Sequence, residues 1–386
     1  MSMRAFNVCL VLVLLVSLSL AACSQAAAPA AGSTSTASGG KSQASQWQQQ
    51  WQTLVDAAKA EGTLTIYSDA GPQVRDALGK AFKEKFGIDV EYVAGSGDEL
   101  TRKMLAERTA GQGYGDIYIS GLSSSLNMLK PQGVLDPIQP ALILPEVLDA
   151  SVWKMGRVPL VDKDGTALAL IATYTFYFLV NTDQVKPEEI TSLDDLLQPK
   201  WKGKMLLYDP TVPGPGGAVP AYLYMTIGKD ATDTFMRKLV DQQVVILRDR
   251  RQQIEWVAQG KNPIGIGTHP ETVAQFMGVG AHVHPARTKE GALMQTVGGG
   301  MQALSKDPHP NARAVFLNWV LTREGSTVFS RAFGHPSSRK DVPPEGVNPI
   351  FIPRPQDKVV FENEEYYSQQ PKMFATMKEI FASLLK

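Results

Sequence analysis

A compact group of chemistry-bearing residues, Thr268-His269-Pro270-Glu271, ends the stretch "PIGIGTHPET" (residues 263–272) of this 386-residue sequence. An imidazole and a carboxylate two positions apart can pass protons, ligate a metal or hold a solute. Thr268 and Glu271 also have the spacing of a capping box, in which the threonine side chain takes a backbone N–H at a helix start and the glutamate bonds back to the cap; Pro270 suits the first turn of such a helix. Catalysis needs partners that the sequence does not offer. There is no G-x-S-x-G, no H-E-x-x-H, no P-loop and no G-x-G-x-x-G after a strand. We therefore assign no catalytic residue, expect a non-enzyme without a cofactor, give Glu271 to the cap, and read Thr268 and His269 as candidate ligand contacts.

Two further segments could recognise charge. In "RDRRQQ" either Arg250 or Arg251 can form a bidentate bond to a carboxylate or phosphoryl group, the alternative being a solvated charged helix start. The loop "TVPGPGG", from Thr211 to Gly217, opens a helix whose free N–H groups and dipole favour an anion, unless its glycines merely serve positive φ. Thr211 and Gly216 are its candidates, and both segments favour an anionic or zwitterionic organic solute. Among the alternating aromatics Tyr174, Phe176, Tyr177 and Phe178, Tyr174 is the candidate to stack on or bond a ligand, against a plain core role. His282 and His284 share a strand face but have no carboxylate beside them, so no metal site is assigned.

Composition narrows the setting. With 44% hydrophobic residues the chain can bury a substantial core, and its length suggests two lobes. Lys plus Arg (38) balance Asp plus Glu (38), so no global field draws it to nucleic acid, and none is expected as a partner. Arg4 precedes the apolar run "AFNVCLVLVLLVSLSL" (residues 5–20), a secretory pattern that is short for a membrane span. "LAAC" (residues 20–23) resembles a lipoprotein lipobox, which makes Cys23 the expected lipidated first residue after a signal segment 1–22. Of the two cysteines the other, Cys9, lies inside the apolar run, so the mature body has no thiol for a disulfide, a metal or nucleophilic attack. Residues 23–46, rich in Ala, Ser, Thr, Gly and Gln, read as a flexible tether. The expected location is the cell envelope, either lipid-anchored to the outer face of the cytoplasmic membrane or in the periplasm.

These residues must be held by elements. A helix pattern with Trp47, Trp51, Leu54, Val55 and Ala58 precedes the strand "TLTIYSDA"; then come a helix over "VRDALGKAFKEKFG", a strand "IDVEYVAG", a helix from about Asp98 to Thr109, and a strand "DIYISG". That alternation predicts an α/β fold with a parallel sheet whose strand-end loops, carrying Ser68, Asp69, Ser96, Gly97 and Ser120, converge on one crevice. "ALALIATYTFYFLVNT" (residues 167–182) predicts a long strand or strand pair, and "WKGKMLLYDP", "QQVVILRD" and "NPIGIGT" supply strands of a second α/β unit.

The segments "LTIYSDAGPQVRDALGKAFKEKFGIDVEYVAGSGDELTRKMLAE", "LDDLLQPKWKGKMLLYDPTVPG", "VAQGKNPIGIG" and "HPNARAVFLNWVLTREGSTVFS", in this order and spacing, resemble the solute-binding components of ABC importers, nearest the ferric-ion-binding branch of the two-lobed, periplasmic-binding-protein-like type II fold. The resemblance runs from about Gly62 to Ser338. It implies two α/β lobes joined by hinge strands that close on a small solute and dock on a membrane permease as a monomer. The expected division is 47–170 with 286–320 in one lobe, and 171–285 with 321–386 in the other. Iron binders of that branch carry adjacent tyrosines after the strand that here reads "PIGIGT"; this chain has Pro270 and Glu271 there, which argues against ferric iron as cargo. Tyr366-Tyr367, in the acidic "ENEEYYSQQ", reads as surface. His335 lies where related chains carry a cleft-facing Tyr-Pro pair and is a further candidate contact.

Overall fold

The computed structural model describes residues 38–385, with side chains from residue 46 onward. The expected signal segment, Cys23 and the tether as far as residue 37 lie outside the described residues. In chain order, α1 (Ser38–Glu61), β1 (Thr63–Ser68), α2 (Pro72–Phe86), β2 (Asp89–Ala94), α3 (Gly97–Thr109) and β3 (Ile117–Ser120) open the first lobe, followed by α4 (Leu122–Ser124), β4 (Leu135–Asp136), α5 (Pro145–Leu148) and β5 (Ala167–Ala169). The strand β6 (Thr173–Thr175) leads to the second lobe, with β7 (Phe178–Asn181), α6 (Leu193–Leu196), β8 (Met205–Tyr208), α7 (Pro215–Thr226), α8 (Lys229–Asp241), β9 (Val245–Leu247), α9 (Arg250–Ala258), β10 (Ile264–Ile266), α10 (Pro270–Gly278) and β11 (Val283–Ala286). From there β12 (Ala292–Gln295) returns to β13 (Gly300–Leu304), α11 (Pro310–Leu321) and α12 (Arg323–Phe333) on the first lobe. Finally β14 (Val359–Phe361), α13 (Glu364–Ser368) and α14 (Gln370–Ile380) end on the second.

The α/β alternation yields the expected parallel pairing of β1 with β2 and β3, while β13 joins β3, β4 and β5 antiparallel. In the second lobe β8 pairs parallel with β10 and β9, and β7 runs antiparallel between β10 and β11. Helix α2 shows why its segment folds as it does. Val74, Leu78, Phe82 and Phe86 recur at helical spacing and are buried, and Gly87 caps the end in the left-handed region at φ 73°. Phe82 packs edge-on to Phe316 of α11 with ring centroids 5.1 Å apart, and Trp319 lies at 5.5 Å.

Helix α1 begins at Ser38, so residues 38–46 of the expected tether are helical. The run 167–182 is not one strand or a simple pair but β5, β6 and β7, which belong to three different sheets. All its residues down to Asn181 are buried, so no polar alternation marks where the chain leaves one sheet for the next. Residues 321–333, assigned to the second lobe, instead pack on the first, where Leu321 and Phe329 join the core that holds Phe82 and Trp319. Likewise residues 286–295 do not join the first lobe: Ala286 ends β11, and β12 pairs with β6 and β14 in a separate small sheet. The antiparallel pair β6 and β12 is the pair of crossings between lobes. After β12, Thr296 to Gly299 turn back on themselves through a hydrogen bond from Gly299 N–H to the Thr296 carbonyl (2.7 Å). Val297 in that turn sits at φ 39°, a strained value for a β-branched residue.

Candidate functional site

On the first lobe the strand ends do converge. The Ser120 hydroxyl donates to an Asp69 carboxylate oxygen at 2.6 Å, and a Cβ added to Gly97 would stand 3.2 Å from that oxygen and 3.3 Å from Ser120 Oγ. Burial raises the Asp69 carboxyl above its usual range, with the Ser120 bond opposing. Ser96 caps α3 in a complete capping box with Glu99, and Ser68 Oγ accepts from the Ala70 N–H at 3.0 Å, so both are bound to local backbone. Only Asp69 of this group lines an open depression, which shares Val297, Gly298 and Phe333 with the main cleft.

That main cleft has a volume of about 560 Å³. Its walls come from the start of α4, the crossings (Thr175, Tyr177 and Gln295 to Gly298), the starts of α7, α9 and α10, Phe333 and His335 of the first lobe, and Glu362, Tyr366 and Tyr367. Arg250, Thr268, His269 and His335 are the candidates found there. Arg251 is not. Its Nε bonds Glu255 at 3.0 Å and its guanidinium lies 5.2 Å from the Phe276 ring centre, because neighbours on a helix point about 100° apart.

Thr211 is likewise turned inward, its hydroxyl donating to Asp209 at 2.6 Å. Gly216 is a packing residue: an added Cβ would fall 2.1 Å from the Tyr208 carbonyl oxygen, and Gly217 lines the cleft in its place. Tyr174 faces the opposite side of the crossing strand, beneath the Arg287 guanidinium at 4.2 Å and in a core with Phe176. Side chains alternate along extended chain, so Thr175 and Tyr177 take the cleft face. His282 pairs with Asp183 at 2.9 Å on the surface, and no group of three or more His, Cys, Asp or Glu among the described residues could hold a metal ion.

The capping box at Thr268 does not form. The helix begins one residue later, with His269 as N-cap and Pro270 in its first turn, which leaves the fully buried Thr268 Oγ1 without a partner. Glu271 is freed from capping and stands between two imidazoles, 3.2 Å from His269 Nδ1 and 3.7 Å from His335 Nε2. Burial, then the nearby Arg250 charge, hold His269 down to about 4, and burial lowers His335 against the pull of Glu271; both rings are neutral at pH 7. His335 is fixed by Thr173 Oγ1, 3.0 Å from its Nδ1, and by stacking on Phe351.

The residues that sequence reading missed lie on the opposite wall. Tyr366 and Tyr367 are buried, not superficial: α13 turns Glu364 outward to Lys130 (2.7 Å) and its tyrosines inward. The Tyr367 hydroxyl donates to a Glu362 oxygen at 2.5 Å, whose other oxygen accepts the Thr296 N–H at 2.8 Å; Tyr366 accepts from Gln295 at 3.2 Å. Tyr177 stacks on Tyr222 with its hydroxyl buried and unpartnered. Burial pushes Glu362 and all three cleft phenols upward, so the tyrosines are protonated. The helical spacing of Tyr366, Tyr367, Met373 and Met377 behind the acidic pair was the signal available in the sequence.

A cleft between two α/β lobes joined by crossing strands is the architecture of two-lobed type II binding proteins, and solved structures of that kind superpose on this one. Trichodesmium IdiA (FutA) "in complex with iron and citrate ligands" has 18% identity and a TM-score of 0.68, covering 83% of this chain and 99% of its own. Apo FutA2 from Synechocystis has 18% identity and a TM-score of 0.66, covering 83% and 98%. AfuA from Actinobacillus pleuropneumoniae, with fructose-6-phosphate bound, has 18% identity and a TM-score of 0.59, covering 83% and 99%. The chain belongs to the bacterial extracellular solute-binding proteins, matching that family over residues 64–334. Among curated relatives, iron uptake protein A1 of Synechocystis is 25% identical over 159 residues, 40% of this chain and 39% of the relative, so the match spans about two fifths of that protein's length.

Proposed function

We propose that this protein is the solute receptor of an ABC importer, held at the outer face of the membrane through Cys23, and that its cleft takes a small anionic organic solute. The observation that carries the reading is Thr268 Oγ1, buried without a partner at the start of α10 in the same cleft that Arg250 and the start of α7 line. An unmade hydrogen bond at a buried hydroxyl is costly, and an oxyanion can satisfy it together with the guanidinium and the positive ends of two helices. Neutral His269 and His335 leave Glu271 to accept a bond from a hydroxyl of the solute. Lobe closure on the crossings then excludes water and presents one closed shape to a permease.

The test is titration calorimetry with phosphorylated and carboxylated small solutes. Arg250→Gln should weaken them by roughly ten- to a hundredfold, the value of a hydrogen bond to a charged group, and should spare neutral sugars. Equal losses for both classes would end the anion reading.

A ferric cargo is the alternative reading, and the relatives favour it over an organic solute: iron is named for several of them, and Tyr177, Tyr366, Tyr367 and Glu362 line the same cleft. These are hard oxygen donors, and phenolate bound to ferric ion absorbs in the visible. Ferric citrate producing such a band, with citrate alone inert, would select it.

A further inference from the structure

Glu362 has no role in a purely anion-binding cleft. It is 3% exposed, it lines the cavity, and among the described residues no Lys, Arg or His nitrogen comes within 4.0 Å of it. Its bonds from the Thr296 N–H and the Tyr367 hydroxyl, with the Thr296 hydroxyl close by, are all to neutral donors. On the same wall the Tyr177 hydroxyl is buried with no partner, and the Tyr366 oxygen takes only the Gln295 amide. Ionised, this acid would repel an anion, and a buried carboxylate is normally paired with a cation.

We propose that Glu362, with Tyr177 and Tyr366, receives a protonated amine of the solute, so that the cargo is a small zwitterion whose acidic end lies against Arg250 and the starts of α7 and α10. This rests on the anion reading of the cleft above. An ammonium has three N–H donors and no acceptor, which matches a carboxylate and two phenol oxygens, and the aromatic faces around it add cation–π attraction. Burial alone pushes the Glu362 carboxyl toward its neutral form, and a bound cation restores the charge. A site built to bond an amine rejects the analogue that lacks it, because its own buried groups are then left unpaired.

The experiment compares O-phosphoethanolamine with ethyl phosphate, which differ only in the amine, together with ethanolamine alone and ferric citrate, by calorimetry on the full chain. O-phosphoethanolamine should bind at least about tenfold tighter than ethyl phosphate, and Glu362→Gln should bring the two within about threefold of each other. The wild-type comparison decides even if that variant fails to fold. Equal binding of the two phosphates removes the amine subsite and leaves the anion reading standing. Ethanolamine binding as tightly as O-phosphoethanolamine, with ethyl phosphate silent, removes the anion reading and supports the Glu362 site. A visible ferric band that Glu362→Gln bleaches makes the wall a metal site and overturns both, as does binding of none of the four probes.

Discussion

At the scale of single residues, His269 sets the clearest pH dependence. Its folded-state value of about 4 lies below the ordinary imidazole value near 6.5, so the fold favours the neutral ring. The sign follows: this stabilisation is complete above pH 6.5 and is lost as pH falls from there through 4. Because the ring is part-exposed, we expect the loss to be of order 1–2 kcal/mol, read as a falling urea midpoint between pH 7 and 4. His269→Gln should flatten that segment of the profile; an unchanged slope would refute the assignment. Thr268 and His269 were legible in the sequence because an apolar strand ran straight into them. The fate of Glu271 was not. Moving the helix start by one residue turns a capping carboxylate into a cleft residue, and sequence patterns locate helix ends only to within a residue or two.

At the scale of elements, the start of α7 depends on its glycines for close packing more than for conformational freedom. Gly216→Ala puts a methyl 2.1 Å from the Tyr208 carbonyl and should cost about 3 kcal/mol or more, measured as a lowered thermal midpoint. Gly278→Ala, at the end of α10 with no atom within 4 Å of the added carbon, should leave the midpoint unchanged or slightly raised and serves as the control. Equal midpoints for the two variants would contradict the packing. The first-lobe alternation was readable because its helices are amphipathic and its strands short. The crossings were not, since β5, β6 and β7 form one unbroken buried run and only the tertiary contacts divide it. The same blindness to facing direction made Tyr174 the candidate where Tyr177 holds the cleft.

At the scale of the whole molecule, Lys130 ties the lobes together. Its ammonium contacts Asp162 at 2.8 Å and Asp164 at 2.9 Å on the first lobe and Glu364 at 2.7 Å on α13. The Asp162 side chain is fully buried, so Lys130→Met strands an uncompensated charge and should cost about 3 kcal/mol in urea unfolding. Glu364 is one-third exposed, so Glu364→Gln should cost less than about 1 kcal/mol. It should still change solute affinity, since α13 carries Tyr366 and Tyr367 into the cleft; affinity and stability moving together would mean the tie is only structural. No sequence pattern announced this link, because its acids stand 32 to 234 positions from Lys130.

The contact between Gly267 and Gly216 has a consequence for how such a receptor can be re-addressed. A Cβ on Gly267, which sits at φ 70°, would come within 2.7 Å of the Gly216 Cα, so the loop before α10 and the first turn of α7 rest backbone on backbone. With no side chain between them, there is none to lengthen or shorten, and the distance separating the two helix starts is a fixed gauge. Side chains that line the cleft, such as those at 250, 269, 271 and 362, can be exchanged around that gauge, whereas any side chain at 216 or 267 would have to push the two backbones apart.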